Sequence, residues 1–183
     1  MTQTAITPPK RYHPALVTLH WIIAILIFVN VLLAAGGDEG GRQVGAAGLA
    51  GIPTINIHMI LGAALLLVMV VRLILRLTTQ RPAWASTGNP FLDKLGELVH
   101  VGLYFFAFLI LAFGGLIAVQ RNLFAYVMGT GSASSGEVGF FYGALHQLGW
   151  LGVITLLFLH IGGALYHQFI IKDNLLKRMW FAA

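Results

Sequence analysis

Histidines are the side chains in this sequence best suited to chemistry, and six of its seven lie within long apolar stretches. Polar groups inside a membrane are costly and usually functional, so each of the six needs an explanation. The seventh, His13, precedes Pro14 outside these stretches, and we interpret it as a solvated side chain at the interface.

The spacing of four histidines predicts two pairs at two depths. His146 and His160 are 14 residues apart, about 21 Å along a helix and about 40° from full turns, so they share one helix face. His58 is expected level with His146, and His20 level with His160. Imidazoles from facing helices can hold haem iron from both axial sides. The alternative for any single histidine is a hydrogen bond between helices.

Arg72 repeats the same spacing, because it follows His58 by 14 residues. It is therefore expected near the level of His20 and His160, where a guanidinium could pair with the propionate carboxylates of a haem. The alternative is a snorkelling arginine that sets topology together with Arg76. Small residues such as Gly114, 14 after His100, would leave room for a macrocycle or serve close helix packing.

His100 and His167 lie near the predicted cytoplasmic ends of their spans. Either can anchor a helix end. The functional alternative is a proton donor or hydrogen-bond partner for a quinone, since quinone reduction consumes protons. His167, two turns past His160, would line such a pocket with His100 and Asn174. His100 is also the main rival of His20 as a ligand.

The elements that must position these side chains are membrane-spanning helices. Of the 183 residues, 58% are hydrophobic and only 9% are charged, which excludes a soluble enzyme and a disordered chain. With no cysteine, disulfides, thiolate metal sites and covalently attached haem are excluded as well. We predict one all-α membrane domain over residues 1–183, a four-helix bundle with spans at about 16–35, 57–76, 98–119 and 144–171.

The basic residues predict the orientation of the bundle. With the N-terminus inside, nine Lys and Arg flank the inner ends of the spans, whereas Arg42 and Arg121 alone lie in the outer loops. Both termini are therefore expected in the cytoplasm, and because the positive charge serves topology, a nucleic-acid partner is excluded. The first span is too long for a signal peptide and contains His20, so we expect it to be retained.

The ordered set of these residues resembles the bacterial cytochrome b-561 family, four-helix di-haem cytochromes related to the b subunits of formate dehydrogenases and nickel hydrogenases. The segments that carry the resemblance cover nearly the whole chain: Leu19-His20-Trp21, Asn56-Ile57-His58, the stretch from Val70 to Leu77, His146 and His160, Ala164-Leu165-Tyr166-His167, and the tail from Lys172 to Leu176. The resemblance implies two non-covalent b haems, with His20 and His160 on the cytoplasmic one and His58 and His146 on the periplasmic one.

The resemblance also implies an activity, oxidation of periplasmic superoxide with ubiquinone as electron acceptor, in a bacterial inner membrane. Arg121, just after the third span, would then steer the superoxide anion; its alternative role is to cap the helix and snorkel. A second interpretation is an electron-transfer subunit of a partner dehydrogenase, hydrogenase or periplasmic protein, and a homodimer is possible in either case. A third is a haem-free structural or transporter-like bundle.

Overall fold

Four long helices form the protein, which the computed structural model describes at residues 9, 11–36, 52–134 and 138–180. They are α1 (Pro14–Gly36), α2 (Thr54–Thr78), α3 (Pro90–Gln120) and α5 (Phe140–Tyr166), with a five-residue helix, α4 (Leu123–Val127), between the last two. The four long helices are all long and apolar enough to cross a membrane, and the described residues contain no strand. The predicted all-α four-helix fold is therefore confirmed. Lys10 and Arg42 lie outside the described residues.

The helices extend further than the apolar runs that predicted them. α3 begins eight residues before the expected start because Asn89 caps it: its side chain accepts a hydrogen bond from the Phe91 amide, 2.9 Å away, and Pro90 occupies the first turn. Asp93 then accepts hydrogen bonds from Ser86 and Thr87 and fixes the preceding loop against this turn. Polar capping residues thus define the start of α3 outside the apolar run.

Side-chain contacts show that neighbouring helices alternate in direction. His20, near the start of α1, meets His160 near the end of α5, whereas His58 and His146 meet near the starts of α2 and α5. We call the end of the bundle where α1 begins and α5 ends the terminal end, and the other the opposite end. Large side chains such as Phe158, 75% exposed, cover the outside of the bundle, as expected of a surface that faces lipid.

α3 and α5 form the tightest helix pair. A Cβ added at Gly149 would fall 2.8 Å from the Cβ of Ile110, and one added at Gly152 would overlap the ring of Phe106. These glycines let the two backbones approach closely, as small residues do between membrane helices. The apolar centre of the bundle joins all four long helices through Ile23, Leu65, Met69, Ala107 and Val153.

The C-terminal segment folds back over the terminal end. α5 continues into a π-helical turn (His167–Ile171), and a short 3₁₀ turn (Leu175–Met179) follows. Trp21 Nε1 donates a 2.8 Å hydrogen bond to the Met179 carbonyl, and Arg178 donates one of 2.8 Å to the Ala83 carbonyl. The segment therefore ties α1 to the loop between α2 and α3, close to the histidines of this end.

Candidate haem sites

Two pairs of histidines face each other inside the bundle, one at each end. The ring centres of His20 and His160 are 6.0 Å apart at the terminal end, and those of His58 and His146 are 6.4 Å apart at the opposite end. The ring planes of the two pairs are inclined at 67° and 77°. The structure thus brings together the residues that the 14-residue spacing paired.

The ring spacing fits an iron held between two imidazoles. Imidazole–metal bonds of about 2.0 Å, with the nitrogen about 1.1 Å from the ring centre, would place two axial rings about 6.2 Å apart. Both pairs match this distance. In the described part of the chain no three His, Asp or Glu side chains converge on one point as a metal cluster, so each pair offers two axial ligands rather than the larger set of a zinc site.

A backbone contact fixes the ring of His146. Its Nδ1 lies 2.9 Å from the Ile110 carbonyl, and since a carbonyl oxygen can only accept, Nδ1 must carry the hydrogen. Nε2 then presents a lone pair, as a metal ligand requires. Gly114 lies beside the ring, where a Cβ would come 3.0 Å from its Cε1. The ring is therefore confined by α3 on one side.

His100 is adjacent to the terminal pair. Its ring centre is 4.9 Å from that of His160, shorter than the spacing of two axial ligands, and the ring of Trp84 lies 5.5 Å away on another side. Its Nδ1 is 2.7 Å from the Gly96 carbonyl one turn back on α3. The geometry fits His20 better than His100 as the partner of His160.

Arg72 lies at the terminal pair, at the depth that its sequence spacing predicted. Its Nη2 is 3.5 Å from His20 Nδ1, and its Nη1 donates a 2.5 Å hydrogen bond to the Tyr104 hydroxyl. Its Nε is buried and has no hydrogen-bond partner among the described residues. A buried guanidinium with an unpaired donor fits an incoming carboxylate, which is the second feature that suits a haem. The sequence analysis missed Tyr104, which lies one turn after His100. A tyrosine hydroxyl within this apolar run could have indicated a buried hydrogen-bond partner.

His167 does not join the histidine pairs. It is only 9% exposed, and its Nδ1 lies 2.7 Å from Asp173 Oδ2 across the π-helical turn. Asp173 also accepts from the Leu175 amide, so the carboxylate is held in place. The partnership was not foreseen, because six residues is not a helical spacing.

Arg121 caps the end of α3 at the opposite end of the bundle. Its amide hydrogen-bonds to the Ile117 carbonyl, and its Nε donates to the Ser134 carbonyl at 2.9 Å. The side chain therefore holds the loop after α4, and this contact agrees with the capping alternative without testing the steering role.

The chain is similar to known cytochromes over nearly its whole length. The chain is 29% identical over 177 residues to cytochrome b561 homolog 2 of Escherichia coli (strain K12), covering 93% of this chain and 92% of the relative. It is 26% identical over 178 residues to cytochrome b562 of Cereibacter sphaeroides, covering 95% and 98%. The sequence profile of the prokaryotic cytochrome b561 family matches residues 11–182. The chain therefore belongs to the prokaryotic cytochrome b561 family, whose members are membrane proteins of b-haem electron transfer.

Proposed function

We propose that the protein carries single electrons across the bacterial inner membrane between two b haems, one at each end of the bundle. His20 and His160 hold the haem at the terminal end, which faces the cytoplasm, and His58 and His146 hold the one at the periplasmic end. The observation that carries this proposal is the spacing of the two pairs, 6.0 and 6.4 Å between ring centres. A haem bound at each site supplies a one-electron carrier.

Arg72 pairs with a haem propionate at the cytoplasmic end. Its buried, unpartnered Nε supports this role, because a carboxylate would satisfy a donor that the protein leaves unpaired. Tyr104 holds the guanidinium from the other side through its hydroxyl. A topology-setting arginine that snorkels would instead extend toward the headgroups rather than donate to a tyrosine inside the bundle.

The substrates that we propose are periplasmic superoxide and ubiquinone. Two superoxide anions each give up one electron and leave as O₂, and one quinone takes up the two electrons with two protons to form quinol. On the cytoplasmic side His167 delivers a proton from Nε2, while Asp173 accepts the hydrogen bond from Nδ1 and holds the ring in place. His100, beside His160, is the second candidate for contact with the quinone.

Arg121 contributes positive charge at the periplasmic end. Superoxide is a small anion that cannot be recognised by shape, so attraction by charge is the available means of raising its encounter rate. The hydrogen bond to the Ser134 carbonyl keeps the guanidinium at the end of α3 without neutralising it.

The reduced-minus-oxidised absorption spectrum of the purified protein tests the haem proposal. We expect two low-spin b haems, and loss of one in each of the variants His20→Ala, His58→Ala, His146→Ala and His160→Ala. His100→Ala is the matched control and should retain both. If His20→Ala kept two low-spin haems while His100→Ala lost one, the cytoplasmic ligand would be His100. A protein without b-haem bands would be the haem-free bundle.

Stopped-flow reduction of the haems by superoxide tests the choice of donor. The rate should fall as salt rises and should fall further in Arg121→Glu, because both changes weaken attraction of the anion. A rate that ignores both would favour a protein donor, as in a subunit that serves a dehydrogenase or hydrogenase. His167→Ala should slow quinone reduction by about 100-fold, the contribution of a positioned proton donor, while both haem spectra stay unchanged.

A further inference from the structure

A groove of about 700 Å³ opens at the terminal end between the end of α2 and the start of α3. These two helices contact each other only sparsely, so the groove reaches the outside of the bundle between them. Trp84 and Val101, 49% and 60% exposed, contribute apolar surface. The groove lies at the ends of two helices that can span a membrane, where lipid headgroups are expected.

Three basic and two acidic side chains line the groove. Lys94 Nζ pairs with Glu97 Oε2 at 2.8 Å, and the Asp93 carboxylate already accepts hydrogen bonds from the preceding loop. Arg76 and Arg81 also line the groove, and neither forms an ion pair within the described ranges. With three basic and two acidic side chains the groove has a net charge of 3 − 2, or +1, and its two arginines form no ion pair in the described part of the chain.

Arg76 is held in position by an aromatic ring. Its guanidinium carbon lies 5.4 Å from the ring centre of Tyr104, which also receives the hydrogen bond from Arg72. This contact directs the charge toward the seam between α2 and α3 without neutralising it. The planar guanidinium is the cation best suited to bind phosphate oxygens in two-point fashion.

We propose that this groove binds the headgroup of an anionic phospholipid, with its phosphate on Arg76 and Arg81 and its acyl chains along the exposed apolar surface of α3 at Val101. Basic pockets between membrane helices on the cytoplasmic side are suited to such headgroups. A free phosphate would use the same two arginines, but it would leave the apolar wall of the groove uncovered. The charge complementarity and the lateral opening together favour the lipid.

Two ring contacts connect this groove to the histidine pair at the terminal end. Trp84 lines the groove and packs edge-on against His100 at 5.5 Å, and His100 in turn packs against His160 at 4.9 Å. A headgroup that holds the loop carrying Trp84 therefore also restrains His100. This restraint on His100 does not depend on the identity of the electron donor or acceptor.

Native mass spectrometry of the purified, haem-loaded protein tests the proposal with phosphatidylglycerol, phosphatidylcholine and inorganic phosphate as probes. Wild-type protein should retain phosphatidylglycerol in preference to phosphatidylcholine, and millimolar phosphate should not displace it. The double variant Arg76→Gln/Arg81→Gln should bind phosphatidylglycerol about 30-fold more weakly, since it loses two cations that face the anionic headgroup. The single variant Arg81→Gln, in an exposed loop, should show a smaller loss and guards against misfolding of the double variant.

The matched control removes the same charge from the same end of the bundle. Lys172 and Lys177 are exposed and do not line the groove, so Lys172→Gln/Lys177→Gln should bind phosphatidylglycerol as wild type does. An equal loss in this control would overturn the proposal in favour of a general effect of charge. Equal binding of phosphatidylcholine would overturn it too, as would displacement by phosphate alone. Short-chain ubiquinone could also displace phosphatidylglycerol. If it did so equally well from the wild type and from the arginine variants, the groove would be a quinone site instead.

Discussion

We expect the substitution Gly114→Ala to weaken haem retention at the opposite end of the bundle. The new Cβ would lie 3.0 Å from Cε1 and 3.2 Å from Nδ1 of His146, whereas ordinary contacts begin at 3.4 Å. The imidazole must therefore move away from α3 by 3.4 − 3.0, or 0.4 Å. Its hydrogen bond to the Ile110 carbonyl is now 2.9 Å, and a shift along that direction brings it to the upper limit of an amide-type hydrogen bond.

The magnitude follows from what this hydrogen bond does for a ligand. Its loss costs about 0.5–1.5 kcal/mol, and contacts of this kind, which orient a ligating histidine, change metal affinity by about 10-fold or more. The distance between the His58 and His146 ring centres should shorten from 6.4 Å at the same time. We therefore expect about tenfold weaker haem binding at this site, with little effect on the pair at the terminal end.

Transfer of haem to an excess of acceptor protein measures the effect, because two sites give two kinetic phases. One phase should be about tenfold faster in Gly114→Ala, because the hydrogen bond that orients the His146 ring is weakened. Gly115→Ala is the matched control: it is the adjacent residue of the same helix, and its Cβ would meet no protein atom within 4 Å. Both variants gain the same helix propensity from alanine. Equal acceleration in both variants, or none in Gly114→Ala, would refute the assignment of the ring contact.

Three further predictions concern the contacts that hold the sites together. Tyr104→Phe should lower the free energy of unfolding of the haem-free protein by about 1–3 kcal/mol, because it leaves a second buried donor of Arg72 unpaired; equal unfolding midpoints in denaturant would contradict this. Gly149→Ala should lower the thermal unfolding midpoint in detergent, since its Cβ collides with Ile110 and overpacking costs about 1–3 kcal/mol; an unchanged midpoint would mean that α3 and α5 can separate freely. Trp21→Phe keeps an aromatic ring but removes the hydrogen-bond donor to the C-terminal segment. Loss of a hydrogen bond worth about 1 kcal/mol should accelerate limited proteolysis of this segment about fivefold. An unchanged rate would show that the bond does not anchor the segment.

The sequence predicted the spans and the histidine pairs for different physical reasons. Long apolar runs cross a membrane whatever their neighbours, so the existence of four helices followed from composition. The pairing followed from α-helical geometry, since His146 and His160 lie on one face of one helix. Helix ends were less predictable: α3 starts at Pro90 because of local capping, which apolar length does not reveal.

The contacts that sequence reasoning missed are those made by irregular backbone. Trp84 reaches His100 from a loop, and no helical spacing relates the two residues. His167 meets Asp173 because the chain passes through a π-helical turn and because Lys172 adopts a left-handed conformation with φ of 62°. Such turns depend on the packing of the whole terminal end. The carboxylate partner of His167 could therefore be found only in the folded structure.

The two histidine pairs share α5, and this arrangement has a consequence for how the sites depend on one another. Both His146 and His160 belong to one continuous helix, so their separation of about 21 Å is fixed by helical rise rather than by loop conformation. Their partners come from α2 and α1, which pack against each other. Close packing through Gly149 and Gly152 fixes α5 against α3. A change at the interface of α3 and α5 is therefore expected to disturb both pairs together, because both ligands of α5 would shift with the helix.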